Sequence, residues 1–302
     1  MVFLEKIRVG QAKSFLIVRD DLFPFLYGGN KARKALEYEE ALLKDGYNAM
    51  VTTGGIQSNH CRVMALLAAR HGWDCHIVYH GSEKRFYQEG GNALLVRKTN
   101  ASVEFVEAYE ISDSMNSAMR KFQEIGKKSY YVTGGGHDLS GGVAYAKAVQ
   151  ELSEKLKENN KKIDRIFLPC GTGSTQAGII VGLSLVGLRN VEVVGISVAR
   201  NMIRAVEVTS EFVSMLARHY NIKEDLSSKV IISDEFLFGG YEGTTDEIRE
   251  WLGEVGKRTG IFFDSTYSGK ALWGMKEMIS RNNWEDDNNL FWHTGGLMNI
   301  LA

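Results

Sequence analysis

Cysteine is scarce in this chain. The three present, Cys61, Cys75 and Cys170, are irregularly spaced, odd in number, and form no CxxC pair. That disfavours a disulfide framework and a structural zinc site. Buried, inert thiols in a reducing compartment are expected instead. An excess of charge of either sign is also missing. Lys and Arg total 36 against 37 Asp and Glu, a formal net charge of -1, and the cations are scattered. Such a chain carries no electrostatic footprint for nucleic acid or an anionic membrane, so a small-molecule partner is expected. No apolar run approaches a membrane span. Residues 1–10 carry charges among their apolar positions, unlike a signal peptide. The chain is therefore expected to be cytoplasmic. It has no fixed-period repeat and no low-complexity segment, and residues 281–289 read as a polar, solvated connection.

What is present is an ordinary globular composition, 44% hydrophobic and 24% charged over 302 residues, enough for a large core and one or two domains. Short apolar runs alternate with amphipathic stretches. Strands are expected at 14–19, 49–53, 74–79, 102–106, 130–132, 166–168, 191–198, 230–232 and 290–292. Helices are expected at 34–44, 59–71, 91–99, 112–125, 142–157, 176–188, 209–220, 246–259 and 270–279. This alternation predicts an α/β chain with mostly parallel sheets covered by helices, and it recurs often enough to favour two lobes.

Four motifs carry chemistry. The first is Gly28-Gly29-Asn30-Lys31-Ala32-Arg33-Lys34. A lysine just after a glycine turn could form an imine with a carbonyl cofactor. It would need a lowered pKa, from burial or from a neighbouring cation such as Arg33 or Lys34. Alternatively, Lys31 is a solvated surface charge. The second is Gly171-Thr172-Gly173-Ser174-Thr175, between an apolar strand and a helix. Backbone N–H groups and the helix dipole would face an anion there. No Gly-Lys-Ser/Thr closes the loop, so it is not a Walker A motif. Gln176 stands where a dinucleotide fingerprint needs its third glycine. A monophosphate cup remains, against the alternative of a plain tight turn. A lysine and a phosphate cradle together point to pyridoxal phosphate (PLP).

The third motif, Gly54-Gly55-Ile56-Gln57-Ser58-Asn59-His60, also joins a strand to a helix. Its helix end could hold a substrate carboxylate, or Ser58 could simply cap the helix. The fourth group comprises Tyr241 after Gly239-Gly240, Tyr267 before a helix, and His293-Thr294-Gly295-Gly296 after the last strand. The phenols could donate protons, and the Thr294 hydroxyl could meet a pyridine nitrogen. Core tyrosines and a plain turn are the alternatives.

These blocks, with Arg19-Asp20-Asp21 and Tyr267 to Ala271, occur in order along nearly the whole chain. Together they resemble the PLP-dependent family that contains 1-aminocyclopropane-1-carboxylate (ACC) deaminase and D-cysteine desulfhydrase, of the tryptophan-synthase-β-like fold (fold type II). The resemblance implies two lobes, each a mostly parallel twisted sheet flanked by helices, with the active site between them. Residues 36–140 would form the small domain, and residues 1–35 with 141–302 the large PLP-binding domain. Lys31 would be the Schiff-base lysine and Lys34 a lysine near the phosphate. Asn59 would face the cofactor's phenolic oxygen, and Thr172, Gly173, Ser174 and Thr175 would bind the phosphate. Thr294 would meet the ring nitrogen. Ser58, Tyr241 and Tyr267 would be catalytic. Gln57, Ser58, Asn59, His60 and Ser268 would contact the substrate.

The deaminase branch is similar in having glutamate at Ser268, leucine at Thr294 and glutamine at His60, so all three positions favour the desulfhydrase branch. The implied activity is α,β-elimination from a small amino acid, giving a 2-oxo acid and ammonia, by a homodimer. ACC-type ring opening, β-replacement and racemisation stay open, as do a PLP-free phosphate-metabolite enzyme and a non-catalytic binding protein.

Overall fold

The computed structural model describes residues 1–9 and 14–302. Gly10, the end of the N-terminal stretch discussed above, lies outside the described residues. The chain begins with β1 (Leu4–Ile7), β2 (Phe15–Arg19) and α1 (Asn30–Lys44). Next come β3 (Ala49–Gly55), α2 (Asn59–His71), β4 (Asp74–His80), α3 (Glu83–Gln88) and α4 (Gly91–Arg97). β5 (Ser102–Val106), α5 (Ile111–Glu124), β6 (Ser129–Tyr131) and the long α6 (Leu139–Glu158) follow. Then come β7 (Arg165–Cys170), α7 (Ser174–Leu185), β8 (Glu192–Ser197), α8 (Met202–His219) and β9 (Ile231–Ser233). The chain finishes with α9 (Asp246–Thr259), α10 (Ser268–Asn282), β10 (Asn289–His293) and α11 (Leu297–Ile300).

Two compact units result. The first is Met1–Asn30 with Gly141–Leu297; the second is Lys31–Ser140 with Met298–Ala302. The first holds a sheet ordered β1-β2-β10-β7-β8-β9. All its pairs are parallel except β1 with β2. Successive residues of its strands enter opposite cores, as the pleat requires. Val18, Ile166, Leu168 and Trp292 join α6, α7 and α8 on one face. Ile17, Phe167 and Phe291 join α9 and α10 on the other. Both faces are buried, which is why these strands read as continuous apolar runs. The second unit holds a wholly parallel sheet ordered β5-β4-β3-β6. Val51 and Val78 there pack on Met115 and Ala118 of α5.

In open parallel sheets, ligands gather beyond the carboxyl ends of the strands. In the first unit that edge carries the turn after β2, Gly171–Gly173 after β7, and Thr294 after β10. In the second it carries Ile56, Gln57 and Ser58 after β3 and the segment after β6.

The structure departs from the sequence reading where elements are short or polar. β1 was missed because it is a four-residue edge strand whose Glu5 and Lys6 are exposed. α3 and α11 are too short to show a period. α8 begins at Met202 rather than 209 because Asn201 caps it, accepting the Arg204 N–H at 2.9 Å. α1 begins at Asn30 rather than 34, so Lys31 lies inside a helix's first turn.

One buried carboxylate locates the turn before α1. Asp20 accepts Tyr145 Oη at 2.5 Å and Trp292 Nε1 at 2.8 Å, and its carbonyl accepts the Gly29 N–H at 2.7 Å. Losing that carboxylate would strand two buried donors at about 1–3 kcal/mol each. Gly28 has φ +74, and a Cβ there would lie 2.5 Å from the Asp21 carbonyl oxygen. Only glycine fits this turn.

Candidate active site

In the first unit the phosphate-type loop leaves β7 and enters α7 through Gly173, in the left-handed region at φ 90. A Cβ at Gly173 would sit 2.3 Å from Thr209 Oγ1. As N-cap, Gly173 offers no side chain to α7, so nothing at the cap competes with an anion for the helix's first N–H groups. Thr172 Oγ1 and Ser174 Oγ lie 3.4 Å apart in this loop. Arg200, absent from the sequence reading, donates to the Gly171 carbonyl at 2.8 Å and braces the loop. Gln176 points away from it, donating to the carbonyls of Val193 and Ile231.

Asn30, the residue just before Lys31, is tied to this edge. Its Nδ2 donates to Thr175 Oγ1 at 3.3 Å, and its backbone N–H to the Thr294 carbonyl at 2.8 Å. The Thr294 turn is itself set by His293. Nδ1 accepts the Gly295 N–H at 3.2 Å, which leaves Nε2–H to donate to the Phe262 carbonyl at 2.9 Å. Burial holds this imidazole below its ordinary pKa, opposed by Asp21. Thr294 is buried.

Tyr241 and Tyr267 hydrogen-bond each other through their hydroxyls, with ring planes at 83° and centroids 5.5 Å apart. Asp264 seats Tyr267 at the head of α10. Its carboxylate accepts the N–H groups of Thr266, Tyr267 and Ser268 at 3.1, 2.8 and 3.0 Å. Burial raises the Asp264 pKa against those bonds. Ser268, expected at the substrate, is instead fully buried. Its hydroxyl donates to Asp264 Oδ1 at 2.6 Å and accepts the Asp264 N–H at 3.1 Å. That reciprocal pairing occupies it in holding the helix start.

In the second unit, Lys31 Nζ donates to the Gly135 carbonyl at 2.7 Å. Burial lowers its pKa from 10.5 to about 8, slightly opposed by Cys61. A usable fraction of neutral amine at physiological pH follows, as imine formation requires. Lys34 is buried, 3.5 Å from the Gly136 carbonyl.

Ser58 caps α2, accepting the Cys61 N–H at 3.2 Å. Asn59 donates to Asn299 Oδ1 at 2.6 Å. Asn299 is fixed in turn, accepting Asn92 Nδ2 at 3.1 Å and donating to the Gln57 carbonyl at 3.1 Å. With its amino group so held, Asn59 Oδ1 is buried without a partner among the described residues.

His60 and Gln57 are both engaged within the protein. The His60 ring is in the interior, its Nε2 2.9 Å from Thr52 Oγ1. Thr52 gives its proton to the Val132 carbonyl, so Nε2 carries the imidazole's. Burial, then Lys31 and Lys34, push the His60 pKa well below its ordinary value. The Gln57 amide braces the Glu89–Asn92 segment. It donates to Glu89 Oε2 at 3.0 Å and to the Gly90 carbonyl at 3.2 Å, and accepts the Asn92 N–H at 3.0 Å.

These residues fit a cofactor with an aldehyde, a phosphate and a polar ring. There is a lysine of lowered pKa, a helix end without its own cap and an orphaned buried acceptor. The comparisons with known proteins agree. The sequence profile described as "Pyridoxal-phosphate dependent enzyme" matches residues 3–295. The chain belongs to the pyridoxal-phosphate-dependent enzyme family. It is 30% identical over 296 residues to a D-cysteine desulfhydrase of Serratia proteamaculans, covering 96% of this chain and 88% of that one. The crystal structure of an ACC deaminase homologue superposes with a TM-score of 0.87 at 28% identity, covering 99% of this chain and 90% of that one. A hydrogen sulfide-producing enzyme from Fusobacterium nucleatum shares the fold at 14% identity, with a TM-score of 0.68 over 97% and 94% of the two chains.

The protein is thus a PLP-dependent lyase of fold type II, in the ACC deaminase/D-cysteine desulfhydrase group. Among the described residues, no helix is long and apolar enough to cross a membrane.

Proposed function

We propose that this enzyme acts as a D-cysteine desulfhydrase, converting a small β-substituted amino acid and water to a 2-oxo acid, ammonia and the released β-substituent. For cysteine the products are pyruvate, ammonia and hydrogen sulfide, which balances with one water. The observation that carries the reading is the tether of Asn30 to Thr175 and Thr294. Lys31 directly follows in sequence the residue that bonds the phosphate loop and the Thr294 turn.

Bound PLP supplies the electron sink that acidifies the substrate's Cα–H. Lys31 Nζ would hold the cofactor and would serve as the base for the substrate's Cα proton. Thr172–Thr175 and the head of α7 hold the phosphate, with Lys34 adding positive charge. The Thr294 hydroxyl would meet the ring nitrogen as a neutral donor, which suits elimination. The Asn59 side-chain amide would face the cofactor's phenolic oxygen, with Oδ1 free to accept a hydrogen bond there. The α2 N-terminus with Ser58 receives the substrate carboxylate and fixes which face of Cα meets Lys31. The Tyr241–Tyr267 pair passes a proton to the departing sulfur as the Cβ–S bond breaks. His60, Gln57 and Ser268 position their neighbours. The proposal includes a cytoplasmic homodimer, as the family resemblance implies.

With Ser268 locked by Asp264, no acidic group stands at the position that distinguishes the deaminase branch. Assaying 2-oxo acid release from D-cysteine, β-chloro-D-alanine and ACC should rank ACC last. Faster turnover of ACC would replace this reading with ring opening. Lys31→Ala should lose roughly 10²–10⁴-fold in rate. Borohydride reduction followed by peptide mapping should place the pyridoxyl group on residue 31 in the wild type. A label on any other residue would refute the assignment.

A further inference from the structure

Lys270 has no part in the chemistry above, yet its surroundings are specific. It is completely buried on α10. Its ammonium faces three backbone carbonyls, those of Leu237 at 3.0 Å, Gly240 at 2.6 Å and Tyr241 at 3.3 Å. A lysine ammonium has three donors and no acceptor, so this loop satisfies it fully. The loop is also strained. Phe238, Gly239 and Gly240 have φ of 48, 91 and 123 in succession. A non-glycine residue held in the left-handed region costs of order 1–3 kcal/mol and persists only where its surroundings impose it. Three carbonyl dipoles converging on one positive charge provide that restraint. The same geometry lets backbone carbonyls replace the hydration shell of a monovalent ion.

We propose that Lys270 is a tethered monovalent cation, which gathers the carbonyls of residues 237–241 and thereby positions the Tyr241 phenol. α10 then registers both phenols. Tyr267 stands at its head, bound to Asp264, and Tyr241 is held from Lys270 one turn along. Lys270 is a positioning residue. Its catalytic consequence rests on the role proposed for Tyr241, whereas the carbonyl cage does not.

The test is Lys270→Met in the full-length holoenzyme, titrated with potassium or ammonium chloride against tetramethylammonium chloride at constant ionic strength. Without a small cation, kcat should fall by roughly 10²-fold, the scale of an ångström-sized misplacement, while KM changes little. Potassium or ammonium should restore kcat saturably, and the wild type should not respond. In the apoprotein, amide exchange over residues 237–243 should speed up in Lys270→Met and slow again with potassium. If Lys270→Met does not fold, Lys270→Gln, which keeps two donors but no charge, should show the same cation dependence. A variant with wild-type kinetics and loop exchange, or one altered but indifferent to every cation, overturns the proposal. Tyr241→Phe separates the two readings. Undiminished activity there removes the phenol's role, while cation-dependent exchange of the loop still decides the cage.

Discussion

Two helices in this protein start the same way and end their approach differently. α2 and α7 each follow the carboxyl end of a parallel strand through a glycine-bearing turn, one in each unit. α2 is capped by the Ser58 hydroxyl, whereas α7 starts at Gly173 with no side-chain cap. A capped terminus is already partly satisfied and suits a singly charged, transient carboxylate. An uncapped one keeps its donors for a doubly charged group that stays. On the proposed assignment, one residue type at the N-cap would separate the substrate's helix end from the cofactor's.

The strongest way to break this comparison is Gly173→Ala. The new methyl meets Thr209 Oγ1 at 2.3 Å from a left-handed backbone, at a cost of order 1–3 kcal/mol. The variant should melt lower as apoprotein and bind PLP at least tenfold more weakly in an equilibrium titration. Unchanged affinity would mean that α7 does not hold the phosphate.

Ser58 sharpens the other side. Ser58→Ala should cost about 1 kcal/mol of stability, and Ser58→Gly only a few tenths. If the hydroxyl also serves the substrate, both variants should lose kcat/KM alike, by about tenfold or more. Recovery of activity in the glycine variant would reduce Ser58 to a cap.

A smaller effect is expected at Asn299. Asn299→Ala frees the Asn59 amide and removes one of the two acceptors of the Asn92 amino group, which still donates to the Gln57 carbonyl at 3.1 Å, a loss of about 1 kcal/mol in the apoprotein melt. PLP affinity should fall by a few-fold as Asn59 loses its fixed orientation.

The mildest test is pH. The folded Lys31 pKa of about 8 lies below its ordinary 10.5. Between those values the unfolded chain binds more protons than the folded one. Lys31 therefore penalises folding below pH 8, and the penalty is relieved as pH rises towards 10.5. The rate at which apoprotein captures PLP covalently should climb to a plateau just above pH 8, as the neutral amine accumulates. Lys31→Met should remove that step, while Lys270, also near pH 8, remains as a control on stability.

Much of the architecture was legible because strands buried on both faces and long helices carry strong periodic signals. Ile166, Phe167 and Leu168 show this for β7, and the α2 face for its helix. Side-chain direction was not legible. Asn59 and His60 are neighbours in sequence but point about 100° apart around α2, so one meets Asn299 and the other Thr52. Ser268 follows Tyr267 directly, yet turns back to Asp264 four residues earlier. Asn299, Asp20 and Lys270 act through partners far away in sequence, and no local pattern announces them. Asp264 was closer to hand, since an aspartate commonly accepts the backbone N–H two residues on, here that of Thr266.

One further consequence follows from β1. Its partner β2 lies next to β10, and β1 is the layer that covers β2's outer row of backbone donors and acceptors. With Glu5 and Lys6 facing outward, it presents newcomers with charge rather than a bare ladder. Trimming those first residues would uncover an apolar, hydrogen-bond-hungry border beside the machinery. The shortened protein would then be prone to recruit foreign strands and leave solution before its chemistry could be assayed.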